Sequence, residues 1–307
     1  MTSRLPVLDH LAVIRFAGDD AAAFLHGQLS CHVTGLAVPA SAYGSYNTPK
    51  GRMLATFLLV RHGGGFDMLI DTSIAAAVGK RLQMFVMRSK VRVSDSSNEI
   101  AAVGLLDDVA EHALGILGVE LPRVPHATVD AGAHGLWTRL DGRRALGLVP
   151  RSELARIAAL VPIDWASPAA WQRADILAGV PWITAATQDA LIPQMANLDL
   201  IGGVHFEKGC YPGQEIVART QHLGKVKRRM VLGHVSTSED APRPGDPVVG
   251  ADLGDQASGL IVNVAADPGG GYDVLAVMQT STIAARRAHL KRLDGPVIDI
   301  GSLPYPV

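Results

Sequence analysis

The feature that most constrains the fold is a change of hydrophobic pattern near Arg229. Before it, segments with the period of strands interleave with segments with the period of helices, which predicts an α+β or α/β domain over residues 1–229. After it, helical periodicity disappears, and turn clusters such as APRPGD and DPGGG separate short apolar runs. This part predicts a small β domain over residues 230–307. A chain of 307 residues favours two or three such units.

Individual elements follow from apolar runs and from capping and turn residues. The predicted strands are Leu11–Phe16, Leu54–Val60, Phe66–Asp71, Val91–Ser94, Ala101–Leu106, Met230–Val235, Gly259–Val264 and Tyr272–Met278. The predicted helices follow a cap at Asp20, begin at a cap at Ser73, and span Asp107–Leu117, Ser152–Val161 and Ala169–Ala178. The helix at Ser73 is expected to carry Ile74, Val78, Leu82 and Phe85 on its apolar face. The glycines at 63–65 are expected to form a hairpin turn.

The charge and cysteine content narrows the possible partners and compartment. The 28 basic and 29 acidic residues give a net charge of -1, so a nucleic-acid contact would have to be a local patch. A short basic run such as that formed by Lys225, Lys227, Arg228 and Arg229 is usually a solvated surface, and the alternative is that it attracts RNA or an acidic partner. Two cysteines form no disulfide framework, and no apolar run has the length of a membrane span. We therefore expect a cytoplasmic protein without a membrane partner.

One thiol stands out in the stretch that precedes the change of pattern. Pro212 and Gly213 bend the chain, and Gln214–Leu223 is predicted to form a helix. Cys210 then lies just before a helix N-terminus and close to Lys208, and both features favour the thiolate form. The alternative is that Cys210 is a small buried hydrophobic residue, which is the commoner role of a lone cysteine.

A zinc site at this thiol is disfavoured. Cys210, His205 and His222 do not have the spacing of zinc ligands, and the sequence suggests no fourth ligand. We therefore predict no metal site.

The stretch KGCYPGQE followed by Arg219 resembles the signature of the folate-binding YgfZ family, whose relatives include the aminomethyltransferase, or T-protein, of the glycine cleavage system. The resemblance covers nearly the whole chain. It extends through GDDAAAFLHGQLS near the N-terminus, NTPKGR at 47–52, Trp171, AGVP at 178–181, LIPQMANLD at 191–199, Gly202-Gly203 and LPY at 303–305. It implies ferredoxin-like α+β subdomains around a central cleft, with a C-terminal β-barrel. It also implies tetrahydrofolate, or another folate, as the bound cofactor.

The resemblance also implies roles for individual residues. A pterin ring needs an apolar wall and hydrogen-bonding groups at its edge, and its glutamate tail needs cations. Trp171 is implied as the wall, and Gln194 and Asn197 as readers of the ring edge. Candidates within the signature are Lys208, Gln214, Glu215 and Arg219, with Arg52 and Lys50 as further cations for the tail and Cys210 as a functional thiol. The alternatives are a core tryptophan, an asparagine that caps backbone, and solvated surface charges.

Two departures from the aminomethyltransferases bear on function. Those enzymes carry acidic residues in the segment that aligns with Gly51–Thr56, where this chain has Ala55 and Thr56, and Leu177 stands where a glutamate would hold the pterin. No complete catalytic site is recognised, so whether the protein is an enzyme stays open. The resemblance favours a factor that assembles or repairs iron–sulfur enzymes, with an indirect effect on tRNA modification. Iron–sulfur client or assembly proteins are the implied partners.

Two other functions remain as alternatives. One is a folate-dependent one-carbon transferase of the aminomethyltransferase type. The other is a tRNA-binding module, which would need a continuous basic groove. The near-neutral charge and the single short basic run make direct tRNA binding the weakest of the three hypotheses.

Overall fold

The computed structural model describes residues 5–161, 163, 165–222, 224, 226–237, 240–253 and 256–307. The chain divides into two compact units, Met1–Gly44 with Phe57–Trp171, and Ser45–Thr56 with Gln172–Val307. The predicted division at residues 229 and 230 has different limits, and it stays a prediction.

The first sheet has five strands, β1 to β5, in the order β2-β3-β4-β1-β5. The strands are β1 Leu11–Ala17, β2 Ala40–Asn47, β3 Met53–His62, β4 Gly65–Asp71 and β5 Arg92–Asp95. The predicted hairpin at residues 63–65 is confirmed, because β3 and β4 pair from Phe57–Ile70 to His62–Gly65. Two helices accompany the sheet, α1 at Ala21–Gln28 and α2 at Thr72–Val86.

Asp20 is the N-cap residue of α1, as predicted, and its carboxylate accepts a hydrogen bond from the Lys90 amide at 2.7 Å. Two other details of these helices were predicted wrongly. The cap of α2 is Asp71, which accepts from the Ser73 amide at 2.9 Å. Phe85 is 45% exposed, and Val86 takes the buried place after Leu82, because a four-residue step keeps the buried stripe of α2 on one face.

The second sheet completes the first unit. Its strands, in the order β6-β9-β8-β7, are β6 Ile100–Leu106, β7 Thr128–Asp130, β8 Leu136–Arg139 and β9 Arg144–Pro150. Helices α3 at Asp107–Ile116 and α4 at Leu154–Leu160 share a hydrophobic core with this sheet, centred on Val103, Trp137 and Ile157. Both helices and strand β6 lie within the predicted segments or one residue of them.

Helix α5, Pro168–Leu177, begins and ends as its sequence predicts. The Ser167 hydroxyl accepts a hydrogen bond from the Ala170 amide at 3.1 Å, and Gly179 follows the helix at φ +68°. Helix α6, Gln214–His222, also matches its prediction as far as the described residues extend, since Leu223 lies outside them.

A closed six-stranded barrel forms the C-terminal part, as predicted, in the order β10-β13-β12-β11-β14-β15. Its strands are β10 Arg228–Val235, β11 Pro247–Gly250, β12 Ala257–Ala266, β13 Tyr272–Gln279, β14 Ala288–Leu290 and β15 Val297–Ile300, with helix α7 Thr280–Ala285 between β13 and β14. Its core includes Val248, Ile261 and Val274. The mixed α and β architecture with a terminal barrel is therefore confirmed.

Candidate functional site

The NTPKGR turn packs against the residues that precede α6. A Cβ atom added to Gly213 would lie 2.5 Å from the Gly51 Cα and 2.5 Å from the Thr48 carbonyl oxygen, so the two backbones touch. Both glycines have positive φ, +72° at Gly51 and +80° at Gly213. This conformation strains most side chains, and at Gly213 a Cβ atom would also clash with backbone, so glycine is favoured at both positions. Two segments of the signature are thereby held together.

The segment Leu191–Asp199 joins the same assembly. The Met53 amide donates to the Leu191 carbonyl at 2.8 Å, and Gln194 Nε2 donates to the Val217 carbonyl of α6 at 2.6 Å. Gln194 is fully buried, and its Oε1 has no hydrogen-bond partner among the residues described. Gln194 therefore connects this segment to α6 and keeps one acceptor unused.

Asn197 and Arg229 fasten this segment to the first barrel strand. The Asn197 side chain, fully buried, donates to the Met230 carbonyl at 2.8 Å and accepts from the Met230 amide at 3.3 Å. Arg229 donates to both oxygens of Asp199 at 2.8 and 3.0 Å. In this arrangement both atoms of the Asn197 carboxamide are bonded to backbone. Lys225, which belongs to the same basic run as Arg229, lies outside the described residues.

The signature loop buries a lysine and exposes the thiol. Lys208 is 6% exposed, and its Nζ lies 5.0 Å from the centroid of the Tyr211 ring. Burial raises the pKa of Tyr211 to about 12. The Lys208 carbonyl accepts from Gln214 Nε2 at 3.2 Å, which ties the loop to the first residue of α6. Cys210 is exposed on this loop, which removes the alternative of a buried hydrophobic cysteine.

The remaining predicted cations lie at the surface. Arg219 forms an i,i+4 ion pair with Glu215 at 2.8 Å, and both side chains are largely exposed. Arg52 donates to the Ala190 carbonyl at 2.5 Å, and Lys50 is exposed in the same turn. These side chains keep free hydrogen-bonding capacity toward solvent.

Thr56 occupies the region where the aminomethyltransferases carry acidic residues, and its hydroxyl both donates and accepts a hydrogen bond. It donates to the Pro181 carbonyl at 2.8 Å and accepts from the Ile183 amide at 2.9 Å, at 2% exposure. Ala55 beside it is fully buried. This arrangement links β3 to the AGVP segment and offers no ionisable group.

Trp171 lies in the first unit and is 1% exposed. Its ring covers Gly104 of β6 so closely that a Cβ atom at residue 104 would overlap Cε3 and Cδ2 of the indole. The indole N–H has no acceptor among the residues described. The residue is therefore packed like a core tryptophan, yet it keeps an unpaired donor.

The C-terminal LPY segment meets AGVP. The Tyr305 hydroxyl donates to the Gly179 carbonyl at 2.7 Å, and burial raises the pKa of Tyr305 to about 12. Five segments of the resemblance thus take part in one connected set of contacts within the second unit: NTPKGR, AGVP, LIPQMANLD, KGCYPGQE and LPY.

Comparisons with known proteins test the family resemblance. No protein-family model matches the chain. The "tRNA-modifying protein YgfZ" of Vibrio vulnificus (strain YJ016) is 31% identical over 225 residues, which are 73% of this chain and 68% of that protein. The chain belongs to the YgfZ family. The YgfZ protein of Edwardsiella ictaluri (strain 93-146) is 28% identical over 304 residues, 97% of this chain and 91% of the relative.

The fold of this YgfZ-family protein also resembles a solved structure. The glycine cleavage system aminomethyltransferase T from Bartonella henselae superposes with a TM-score of 0.76 and covers 99% of this chain and 87% of its own. The sequence identity is 17%, so this likeness concerns the fold alone.

One potential site residue was missed by sequence reasoning. Asn47 begins the NTPKGR turn at 1% exposure, and neither its Nδ2 nor its Oδ1 has a hydrogen-bond partner among the residues described. Buried amides almost always have partners, so such an atom pair is unusual. The sequence signal was the motif itself, whose asparagine was treated only as part of the match.

A second feature that sequence reasoning missed is a group of potential metal ligands. His234, Asp267 and Asp273 hold their ligand atoms within 4.8 Å of one another. Arg173 of α5 forms ion pairs with both carboxylates, at 3.0 Å from Asp267 Oδ1 and 2.6 Å from Asp273 Oδ2. The group is therefore an ion-pair cluster in which the guanidinium takes the place that a cation would need.

Every helix within the described residues is too short or too polar to cross a membrane.

Proposed function

We propose that this protein binds tetrahydrofolate and acts in the assembly or repair of iron–sulfur enzymes, so that its effect on tRNA modification is indirect. The observation that carries the proposal is the connected set of contacts among the signature segments, found in a member of the YgfZ family with an aminomethyltransferase-like fold. Glycine contacts at Gly51 and Gly213 hold these segments in place.

The proposed folate contacts use groups whose hydrogen-bonding capacity is not exhausted. Among the described residues, Gln194 Oε1 of the second unit and the Trp171 indole N–H of the first unit each have no hydrogen-bond partner, and each is suited to bind a polar heterocycle. Arg52 and Arg219 are exposed cations for the anionic tail. Asn197, Lys208, Gln214 and Glu215 belong to the same proposal, in which Asn197 and Gln214 act mainly by holding the segments in position.

A one-carbon transferase is the alternative, and Thr56 weighs against it. A catalytic carboxylate at this position would face the Pro181 carbonyl, an acceptor, at the distance where the Thr56 hydroxyl now donates. Two acceptors repel each other, so the local structure suits a hydroxyl and not an ionised acid. We therefore favour an assembly factor over an enzyme that transfers an aminomethyl group.

Calorimetric titration with tetrahydrofolate tests the binding proposal. Wild type is expected to bind, and Trp171→Phe, which keeps an aromatic ring but removes the indole N–H, is expected to bind about tenfold more weakly. Trp137→Phe is the matched control, because Trp137 is equally buried but donates its N–H to the His134 carbonyl. Absence of binding to wild type would refute the folate proposal, and equal weakening by both substitutions would remove Trp171 from the site.

Complementation tests the role of the thiol. In a bacterium that lacks its own YgfZ protein, Cys210→Ala is expected to fold normally and fail to restore the activity of an iron–sulfur tRNA-modifying enzyme. Cys31→Ala is the control, because Cys31 is buried at 2% exposure. Full restoration by Cys210→Ala would show that the exposed thiol has no part in the function.

A further inference from the structure

The first unit contains a strongly basic segment of sequence. From Thr72 to Ser94 the sequence has five basic residues, Lys80, Arg81, Arg88, Lys90 and Arg92, and no acidic residue. Arg81 is half-buried and the other four are exposed. Such a run is notable in a chain whose net charge is -1, because its charge is not balanced locally.

The pairing of the first sheet brings a sixth basic residue, Arg61, to the end of the sheet at which β5 begins. Arg61 pairs with Phe66, Phe66 with Phe16, and Phe16 with Val93, so Arg61 and the start of β5 lie level across four strands. Three strand spacings separate them by about 14 Å. The Lys90 amide is bonded to Asp20 at this end, so the chain between α2 and β5 lies there too.

Arg61 lines a groove at this end of the sheet. The groove has a volume of about 420 Å³ and lies between the Gly63–Gly65 turn and the segment Gly18–Ala22. Arg61 Nη1 donates to the Leu36 carbonyl at 2.6 Å, and the guanidinium carbon lies 5.5 Å from the centroid of the Phe66 ring. Its remaining N–H groups can bind an anion that enters the groove.

These cations are mostly unpaired. In the described part of the chain, Arg61, Arg88 and Arg92 have no carboxylate partner, and Lys90 meets the exposed carboxylate of Asp19 at 3.6 Å. Exposed pairs of this kind contribute little and exchange readily with other anions. The surface is therefore available to a polyanion.

The end of α2 adds an aromatic surface beside the cations. Phe85 is 45% exposed, and the Arg81 guanidinium carbon lies 5.8 Å from the centroid of its ring. Met84 and Met87 flank it at 63% and 87% exposure. An exposed ring beside an arginine is a surface on which any nucleic-acid base can stack.

We propose that this basic surface, formed by Arg61, Arg81, Phe85, Arg88, Lys90 and Arg92, binds single-stranded RNA. Phosphates meet Arg61 in the groove and the cations near β5, and a base stacks on Phe85. An acidic protein would use the cations equally well, but it would not gain from a stacking ring. The proposal is independent of folate, and it departs from the expectation based on net charge.

Fluorescence anisotropy with a labelled single-stranded oligoadenylate RNA tests the proposal over a series of salt concentrations. Wild type is expected to bind with an affinity that falls as salt rises. Arg88→Glu/Arg92→Glu is expected to raise Kd by at least about tenfold and to flatten the salt dependence, because fewer phosphates are neutralised. Phe85→Ala is expected to raise Kd by about tenfold with an unchanged salt slope, because it removes stacking and no charge.

Lys227→Glu/Arg243→Glu is the matched control, since it makes the same change in net charge at exposed residues of the second unit. It should leave Kd within about twofold of wild type. The proposal is overturned if wild type does not bind this RNA at low salt, or if the control weakens binding as much as the test pair. It is equally overturned if Phe85→Ala has no effect while polyglutamate displaces the RNA, because the surface would then recognise acidic chains through charge alone.

Discussion

Two asparagines of the second unit have opposite hydrogen-bonding states at the same burial. Asn197, fully buried, uses both carboxamide atoms to hold Met230, whereas neither carboxamide atom of Asn47, at 1% exposure, has a partner among the described residues. An unpaired buried amide costs about 1–3 kcal/mol, and replacing it by an apolar group of similar shape removes that cost. Identical substitutions at the two positions should therefore have opposite effects.

We predict that Asn197→Leu lowers the free energy of unfolding by about 1–3 kcal/mol, because it leaves the Met230 amide and carbonyl without their hydrogen-bond partner. Asn47→Leu should leave this free energy unchanged or raise it. Urea unfolding followed by circular dichroism measures both. A loss for Asn47→Leu as large as that for Asn197→Leu would mean that Asn47 has a structural partner, such as a buried water, in solution.

At the scale of elements, one guanidinium connects α5 to two aspartates of the second unit. Arg173 binds Asp267 and Asp273, and Asp273 is also 3.1 Å from His234. The Asp273 side chain is 9% exposed, so its charge has little access to water. Removal of Arg173 would leave two nearby carboxylates without their main counter-charge.

Arg173→Met keeps the apolar stem and removes the charge, and we expect it to lower the free energy of unfolding by about 1–3 kcal/mol. Arg219→Met is the matched control, because its pair with Glu215 is exposed on α6 and should contribute less than about 0.5 kcal/mol. Urea unfolding at neutral pH compares the two variants. Equal losses would contradict a special role for the Arg173 cluster.

The elements also show which features sequence patterns can predict. Alternation and capping residues located the β3–β4 hairpin, helix α5 and the three longer barrel strands, because those signals are local. Phe85 was misplaced because its three-residue step from Leu82 and the four-residue step to Val86 both suit a helix, and tertiary packing decides between them. The short strands β11, β14 and β15 were not predicted, because hydrogen-bond pairing with neighbouring strands, and not a pattern in the sequence, defines them.

The candidate site was predictable to the extent that it coincides with contiguous motifs. KGCYPGQE and LIPQMANLD marked the right segments, but no sequence rule shows that Gly51 touches Gly213 or that Thr56 bridges Pro181 and Ile183. The basic surface was missed for a different reason. Its cations between residues 81 and 92 stand in one acid-free segment but are spaced more widely than those at 225–229, and only Arg61 is brought level with them by the strand pairing.

At the scale of the whole molecule, the two units should respond differently to acid. His126 lies in the first unit, where its carbonyl accepts from the Ser41 amide and its Nδ1 lies 3.1 Å from the Ser41 hydroxyl, beside the backbone bridge between Ala40 and Ala127. Burial, assisted by the charge of Arg144, lowers the pKa of His126 below 6.5, although Asp141 opposes the shift. The native state therefore holds this histidine neutral.

Stability linked to His126 should be present above pH 6.5 and lost as the pH falls from there toward its lower native pKa, because the unfolded chain takes up the proton first. The carboxyls of Asp67 and Asp141 act in a separate, more acidic window. Burial raises the pKa of each, but it is outweighed by hydrogen bonds and charges, from Arg15 and His62 at Asp67 and from Arg144 and Arg143 at Asp141, so that each pKa lies below 3.8. His126→Asn removes the titration and suits the φ of +65° at this position. Its free energy of unfolding should decline less than that of wild type between about pH 7 and about pH 5.

Hydrogen exchange can then assign the acid effect to a part of the molecule. As the pH falls through this range, amides of β7 and β8, which adjoin His126, should lose protection relative to the barrel amides of β12 and β13, after correction for the intrinsic pH dependence of exchange. In His126→Asn this difference between the units should shrink. Parallel loss of protection in both units, in wild type and variant alike, would mean that the chain opens as one cooperative body and that His126 does not set its acid limit.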